Sequence, residues 1–254
     1  MQTQRLVFLA GLHRSGTTLL ARLLAAHPEI SGFSDTGVAE DEGQHLQTVY
    51  PAAKVYGGPG RFGFAPESHV TEASPLATEQ NARTIFAEWS SQWDLSRPVL
   101  LEKSPPNLLK TRFLQALFPG SAFVVVLRHP IAVSLATAKW RRTRRYHRLV
   151  EHSLRCYELF EADRGRLERV HVIRYEDLVR QPEEVLGGIF AFLGLEPVPP
   201  AEPVEGGADE RYFRQWRELQ RDPRMRVYLT LASLWYERRA RHFGYSLLRP
   251  GRRF

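Results

Sequence analysis

The chain predicts an α/β fold: one mostly parallel sheet with helices on both faces, in a single domain over residues 1–254. Three observations carry this. Short runs rich in Val, Leu, Ile and Phe alternate with stretches of helical periodicity. A length of 254 residues suits one large domain, and a hydrophobic content of 43% supplies its core. No internal repeat divides the chain. Glycines and prolines cluster at Tyr56–Pro66, read as a long loop or lid, and at Pro197–Gly207, read as a hinge before the last helices.

The expected strands are Arg5–Ala10, Ile30–Phe33, Val99–Lys103, Ala122–Arg128 and Val170–Arg174. All but the second are rich in branched and aromatic residues, as parallel strands buried on both faces are. Thr17–Ala26 is a helix with Leu19, Leu20, Leu23 and Leu24 on one side, and Thr78–Trp93 carries Ile85, Phe86 and Trp89. Leu108–Leu117, Ile131–Trp140 and His152–Arg166 follow with similar periodicity. Pro182–Leu193 is amphipathic, and Asp209–Gln220 and Arg224–His242 close the chain. In such folds the loops at the strand ends share one edge, where ligands bind.

A net charge of +7 and a pI near 9.8 favour an anionic partner. Nucleic acid, an anionic membrane surface and a multiply phosphorylated small molecule all qualify. The single cysteine, Cys156, excludes an internal disulfide framework and a Cys-based zinc site, and reads as a core or helix residue. Arg5 and Gly11 bound the first apolar run, and no run approaches a membrane span, so a soluble, cytoplasmic protein is expected. His13, His27, His45 and His129 are scattered without metal-ligand spacing, and no metal is expected.

The most informative segment is Arg5–Leu20, a buried strand, a tight loop and a helix start. Gly11 and Gly16 have the spacing of a G-x-x-x-x-G-K-[ST] phosphate loop, but Thr17-Thr18 follow where Lys-Ser/Thr would stand. The basic group lies inside the loop, as Arg14. Backbone N–H groups and a helix N-terminus still suit phosphate oxygens. The alternative is an ordinary strand–turn–helix with a Ser/Thr cap. A second anion site is expected where Arg128 ends a strand and Pro130 opens a helix.

Arg14-Ser-Gly-Thr-Thr18 followed by Leu127-Arg-His-Pro130 resembles the sulfotransferase family that uses 3′-phosphoadenylyl sulfate (PAPS). Glu102-Lys-Ser-Pro-Pro-Asn107 is similar to that family's Lys-Ser-Pro segment. Ile173–Pro182, with Phe192-Leu-Gly-Leu195, resembles its Tyr-Glu-Asp-Leu element and following helix. The four landmarks span about residues 5–195, in motif spacing like the tyrosylprotein and heparan-type enzymes, and the last sixty or so residues follow the pattern loosely. The resemblance implies a three-layer, P-loop-kinase-like fold with about five parallel strands in order 2-3-1-4-5.

It also implies roles. His13, Arg14, Ser15, Gly16, Thr17 and Thr18 would hold the 5′-phosphosulfate, Arg128 the 3′-phosphate, and Tyr175 would lie near the adenine. The family's Ser eight residues after that Arg is Ala136 here. Ser134 and Thr137 flank it, but a helix turns about 100° per residue, so Ser134 serves only if the helix shifts. Otherwise Arg211, Tyr212 and Arg214 are the donors available on charge. Lys103, with Arg14, would neutralise charge on the leaving phosphate. The acceptor hydroxyl needs a general base. Glu42 and Asp35 fall at the positions of two family registers; Glu42 is favoured, then Asp35, then His45, against a solvated acidic helix start.

The expected reaction is transfer of a sulfuryl group from PAPS to a hydroxyl acceptor, giving a sulfate ester and PAP. Tyr50–Pro75 and the C-terminal helices are expected to shape the acceptor pocket. The alternatives are a nucleotide or small-molecule kinase, against which the missing Lys argues, and a non-catalytic anion- or nucleic-acid-binding module, suggested by the charge. The basic run Lys139–Arg148 reads as a solvated helix end first and an anion contact second. No obligate nucleic acid is implied, and the sequence is silent on oligomeric state.

Overall fold

The computed structural model describes residues 4–251. Five strands, β1 (Arg5–Gly11), β2 (Ile30–Gly32), β3 (Val99–Lys103), β4 (Ala122–Leu127) and β5 (Val170–Arg174), form one sheet in the order β2-β3-β1-β4-β5. Every pair is parallel. This is the order the resemblance implied.

Nine helices surround the sheet among the described residues: α1 (Thr17–Ala25), α2 (Glu79–Ser90), α3 (Thr111–Leu117), α4 (Pro130–Arg141), α5 (Tyr146–Arg164), α6 (Tyr175–Arg180), α7 (Pro182–Leu193), α8 (Ala208–Arg221) and α9 (Arg226–His242). Alternate strand residues feed two separate cores. Val7, Leu9, Val124 and Val126 pack on Leu20, Leu23 and Leu24 of α1 and Leu186, Ile189 and Phe190 of α7. Phe8, Leu100, Phe123 and Val125 face the other way, onto Trp89 of α2, Phe113 of α3, Ile131 of α4, Tyr157 of α5 and Trp216 of α8. Burying one such side chain fully contributes roughly 1.5–3 kcal/mol, so both faces drive folding. Among the described residues no helix is long and apolar enough to cross a membrane.

The structure departs from the expected elements at several points. Helix α5 starts at Tyr146, six residues before the expected His152, because Tyr146, Leu149 and Val150 give it a buried face among basic neighbours. Arg142 ends α4 in a left-handed conformation, so Lys139–Arg148 is a mostly solvated helix end and connection. Pro105 and Pro106 hold a 3₁₀ turn over Pro105–Leu109, and α3 begins only at Thr111. Tyr56–Pro66 is packed and includes the 3₁₀ turn Phe62–Phe64, with Phe62 fully buried. Arg141 tethers its start by donating to the Gly57 and Pro59 carbonyls at 2.6 and 2.8 Å.

Candidate active site

The first loop joins β1 to α1 at the C-terminal edge of the sheet. Its turn is stapled from inside: the Ser15 N–H donates to the Leu12 carbonyl at 3.0 Å, and the Leu12 N–H donates to Ser15 Oγ at 3.2 Å. Ser15 is buried and its polar groups hold the loop, a different task from the phosphate contact expected of it. Arg14 and Gly16 are left-handed, at φ 70° and 101°. A Cβ on Gly16 would run into the Tyr175 ring, so glycine is required by both conformation and space. The N–H groups of α1's first turn have no acceptor within the helix. Thr17 is buried beneath them, and Thr18 is exposed and donates to Glu40 Oε2 at 3.3 Å.

Arg128 directly follows β4 beside this loop. Its backbone is clasped by Tyr157, whose hydroxyl donates to the Arg128 carbonyl at 2.7 Å and accepts from the Arg128 N–H at 3.1 Å. The guanidinium lies 3.9 Å from the Tyr175 ring centroid and donates through Nη1 to the Arg14 carbonyl at 2.8 Å. Nε and Nη2 both donate to Asp209 Oδ1, at 3.0 and 2.6 Å. Asp209 is buried at the start of α8, and its Oδ2 has no partner. A carboxylate from the C-terminal helices therefore pairs with Arg128, and it lines a separate cavity with His129 and Glu176. Behind it, Glu176 accepts from the His129 N–H at 2.6 Å. Burial and then the Asp209 charge push the Glu176 carboxyl up to about 7.

Lys103, at the end of β3, supplies the third group. Its ammonium donates to the Glu40 carbonyl and stands 3.8 Å from Glu42 Oε1. Glu42 is 5% exposed, and burial raises its carboxyl pKa while Lys103 opposes the rise. Gln44 Nε2 donates to Glu42 Oε2, and His45 Nε2 is 3.9 Å from the same oxygen. Burial and the nearby Lys54 and Lys103 charges lower the His45 pKa. The turn before Glu42 is left-handed at Asp35, Glu40 and Asp41, and Asp41 Oδ1 closes it by accepting from the Thr36 N–H and hydroxyl at 2.9 and 2.6 Å.

Two cavities meet here. One of about 200 Å³ is lined by the loop, Arg128, Tyr175 and Tyr212. The other, of about 670 Å³, extends over Tyr50, Ala53 and Pro59. His13, Glu40, Glu42 and Trp140 line both and form the junction. His13 is held neutral there: burial first, then the neighbouring Lys103 charge, lowers its pKa to about 3.

Residues 7–200 match the sulfotransferase family. The chain belongs to that family. It is 26% identical over 227 residues to the nodulation protein NoeE of Sinorhizobium fredii, covering 75% of this chain and 50% of that protein. It is 27% identical over 209 residues to protein-tyrosine sulfotransferase 2 of Gallus gallus, covering 75% of this chain and 51% of the relative. The chain thus spans about half the length of these two relatives. Among solved structures, the sulfotransferase domain of the Synechococcus PCC 7002 olefin synthase superposes with a TM-score of 0.58 at 19% identity, covering 97% of both chains. That likeness shows the fold.

In this sulfotransferase-family chain, the structure brings together Arg14, Gly16, Thr17, Thr18, Arg128, Tyr175 and Tyr212 around one cavity, with His13 and Glu42 at its junction. Six expected residues line neither cavity, among them Ser15, buried within the loop, and Lys103, buried against Glu40 and Glu42. Ser134 is fully buried on α4, its Oγ without a partner, and faces a small void among Leu12, Gly60 and Leu149. The α4 register is unshifted, so Ala136 lines the cavity and Ser134 points into the core. Asp35 is exposed and lines neither cavity. Arg211 is exposed on α8, with its guanidinium 5.2 Å from the Tyr212 centroid, and Arg214 is exposed beside it. Sequence reasoning missed Asp209, Glu40 and Glu102. The acidic start of α8 was visible, but nothing local tied it to Arg128.

Proposed function

We propose that this site transfers a sulfuryl group from PAPS to a hydroxyl acceptor. The observation that carries the reading is Glu42, buried where the loop cavity meets the larger one, with the Lys103 ammonium 3.8 Å behind it. The residues present suit the donor nucleotide. Gly16 leaves no side chain over the helix N-terminus, so the first-turn N–H groups and Arg14 can hold the 5′-phosphosulfate. Arg128 holds the 3′-phosphate once Asp209 gives way, and Tyr175 and Tyr212 offer rings to the adenine. The donor supplies the activated sulfur.

The chain's own residues supply the rest. Glu42 takes the acceptor proton, and its raised pKa makes it a better base than an exposed carboxylate. Lys103 and Arg14 face the charge that builds on the bridging oxygen as the sulfur–oxygen bond breaks. The new bond joins the acceptor oxygen to sulfur, and the electron pair of the broken bond stays on PAP. His13, uncharged, completes the junction without competing for the proton. Calorimetry with PAP and transfer from ³⁵S-labelled PAPS test the reading. Sub-millimolar PAP binding and label appearing on an acceptor are expected. No PAP binding, or Mg²⁺-dependent consumption of ATP instead, would overturn it.

A further inference from the structure

The larger cavity carries information about the acceptor, on the assumption that the donor reading above holds. Its walls are apolar over most of their extent: Val38, Tyr50, Ala52, Ala53, Pro59 and Trp140. A volume of about 670 Å³ suits a compact organic molecule.

The polar side chains lining it fall into two groups. Gln44 and Gln47 are engaged by the protein itself. Gln44 donates to Glu42 and accepts from the Ala53 N–H at 2.9 Å. Gln47 donates to the Gln44 and Tyr50 carbonyls at 3.2 and 2.7 Å, and its Oε1 accepts from the N–H groups of Val49 and Tyr50, each at 2.8 Å. Both residues are buried, and their amides brace the wall. The Tyr50 hydroxyl is sealed from solvent, so the cavity meets the ring and not the oxygen. The remaining polar groups are His13, Glu40, Glu42 and His45, gathered at the end that opens on the donor cavity, and Lys54 at the exposed edge.

We infer that the acceptor is a largely apolar alcohol or phenol presenting one hydroxyl, in preference to a saccharide or a peptide side chain. One polar end next to Glu42 matches one hydroxyl, and the apolar walls match its body. A saccharide would bury further hydroxyls against groups already paired, each weakening binding by about tenfold. A peptide would bring backbone N–H and C=O groups with the same difficulty. Transfer forms the acceptor O–S bond, breaks the bond from sulfur to the bridging phosphate oxygen, and leaves the hydroxyl proton on Glu42.

The test measures initial rates with ³⁵S-labelled PAPS on three acceptor sets: primary alcohols and alkylphenols of increasing chain length, mono- and oligosaccharides, and tyrosine peptides. In the first set kcat/KM is expected to rise about fourfold per methylene, the equivalent of ~0.8 kcal/mol per buried CH₂. The rise stops once the cavity is full. The other two sets trail by at least about tenfold. Ala52→Phe, narrowing the cavity, lowers kcat/KM for the longest alcohols more than for the shortest and leaves the PAP Kd unchanged, which also shows that the variant folds. A flat series, a preferred saccharide or peptide, or normal PAP binding without transfer to any alcohol overturns the inference. Loss of PAP binding in the wild-type protein removes the donor reading and this inference with it.

Discussion

Arg128 and Asp209 set the sharpest expectation at the scale of single residues. Asp209 holds two of the Arg128 donors through one oxygen while its other oxygen is unpaired. On the proposed reading, a 3′-phosphate with three oxygens competes with this carboxylate for the Arg128 donors. Asp209→Asn is expected to tighten PAP binding by about tenfold, removing a charge-assisted pair. It should leave AMP, which lacks the 3′-phosphate, nearly unchanged. Arg128→Ala should weaken PAP by about ten- to a hundredfold. Isothermal titration of both nucleotides against both variants checks this, and an equal effect on PAP and AMP would exclude a 3′-phosphate role. Glu42→Gln is expected to lower kcat by at least about a hundredfold with little change in the PAP Kd. Because burial raises the Glu42 pKa, its base form is lost as pH falls through a value above the ordinary carboxylate range. The acid limb of a kcat–pH profile should show that limb, and Glu42→Gln should abolish it. The sequence left Glu42, Asp35 and His45 as competing bases, since spacing from Arg14 cannot tell which carboxylate turns inward. In the folded chain Glu42 is buried and lines both cavities, whereas Asp35 is exposed and lines neither.

At the scale of elements, the end of β3 anchors the site through Glu102. Its carboxyl accepts from the Ser104 hydroxyl at 2.6 Å and from Asn107, while Ser104 Oγ accepts from the Gln44 N–H at 2.9 Å. Gly43 packs so closely on Glu102 that a Cβ would fall 2.5 Å from Oε1. Glu42 is thereby hung from the strand that carries Lys103. Glu102 is fully buried, and burial pushes its carboxyl from 4.5 up to about 7. The folded protein keeps a proton that the unfolded chain releases from about pH 4.5 upward. This contribution is complete below that pH and falls by about 3 kcal/mol as pH rises to about 7. Urea melts at pH 5 and pH 8 should show the loss in the wild type and a smaller one in Glu102→Gln. An unchanged pH dependence in the variant would rule it out. The strands and most helices were legible because periodicity reports burial directly. The start of α5 was not, because Arg144, Arg145 and Arg148 mask the buried Tyr146, Leu149 and Val150.

For the whole molecule, the cavity proposed for the nucleotide is closed by pieces from distant parts of the chain: the first loop, the residue after β4, α6 and α8. A ligand bridging them ties the C-terminal helices to the sheet. PAP at a hundred times its Kd is expected to stabilise the fold by about 2.7 kcal/mol, raising Tm by roughly 5–10 °C for a domain of this size. Differential scanning fluorimetry with PAP and AMP measures it. The shift should shrink in Arg128→Ala at equal PAP, and an equal shift in that variant would argue that binding does not engage α8's partner.

The sequence by itself determined the fold class, the positions of the five strands, the phosphate-loop-like turn and, through the resemblance, the strand order. Each follows from local patterning, because hydrophobic periodicity and turn residues act over a few positions. Tertiary structure alone decided which charges meet. Arg128 and Asp209 are 81 residues apart in the chain, and Glu42 follows β2 whereas Lys103 ends β3. Only the packing of α8 against α4, and of the Asp41–His45 turn over β3, brings them within reach. Coulomb pairing depends on distance in space, which composition and spacing do not record.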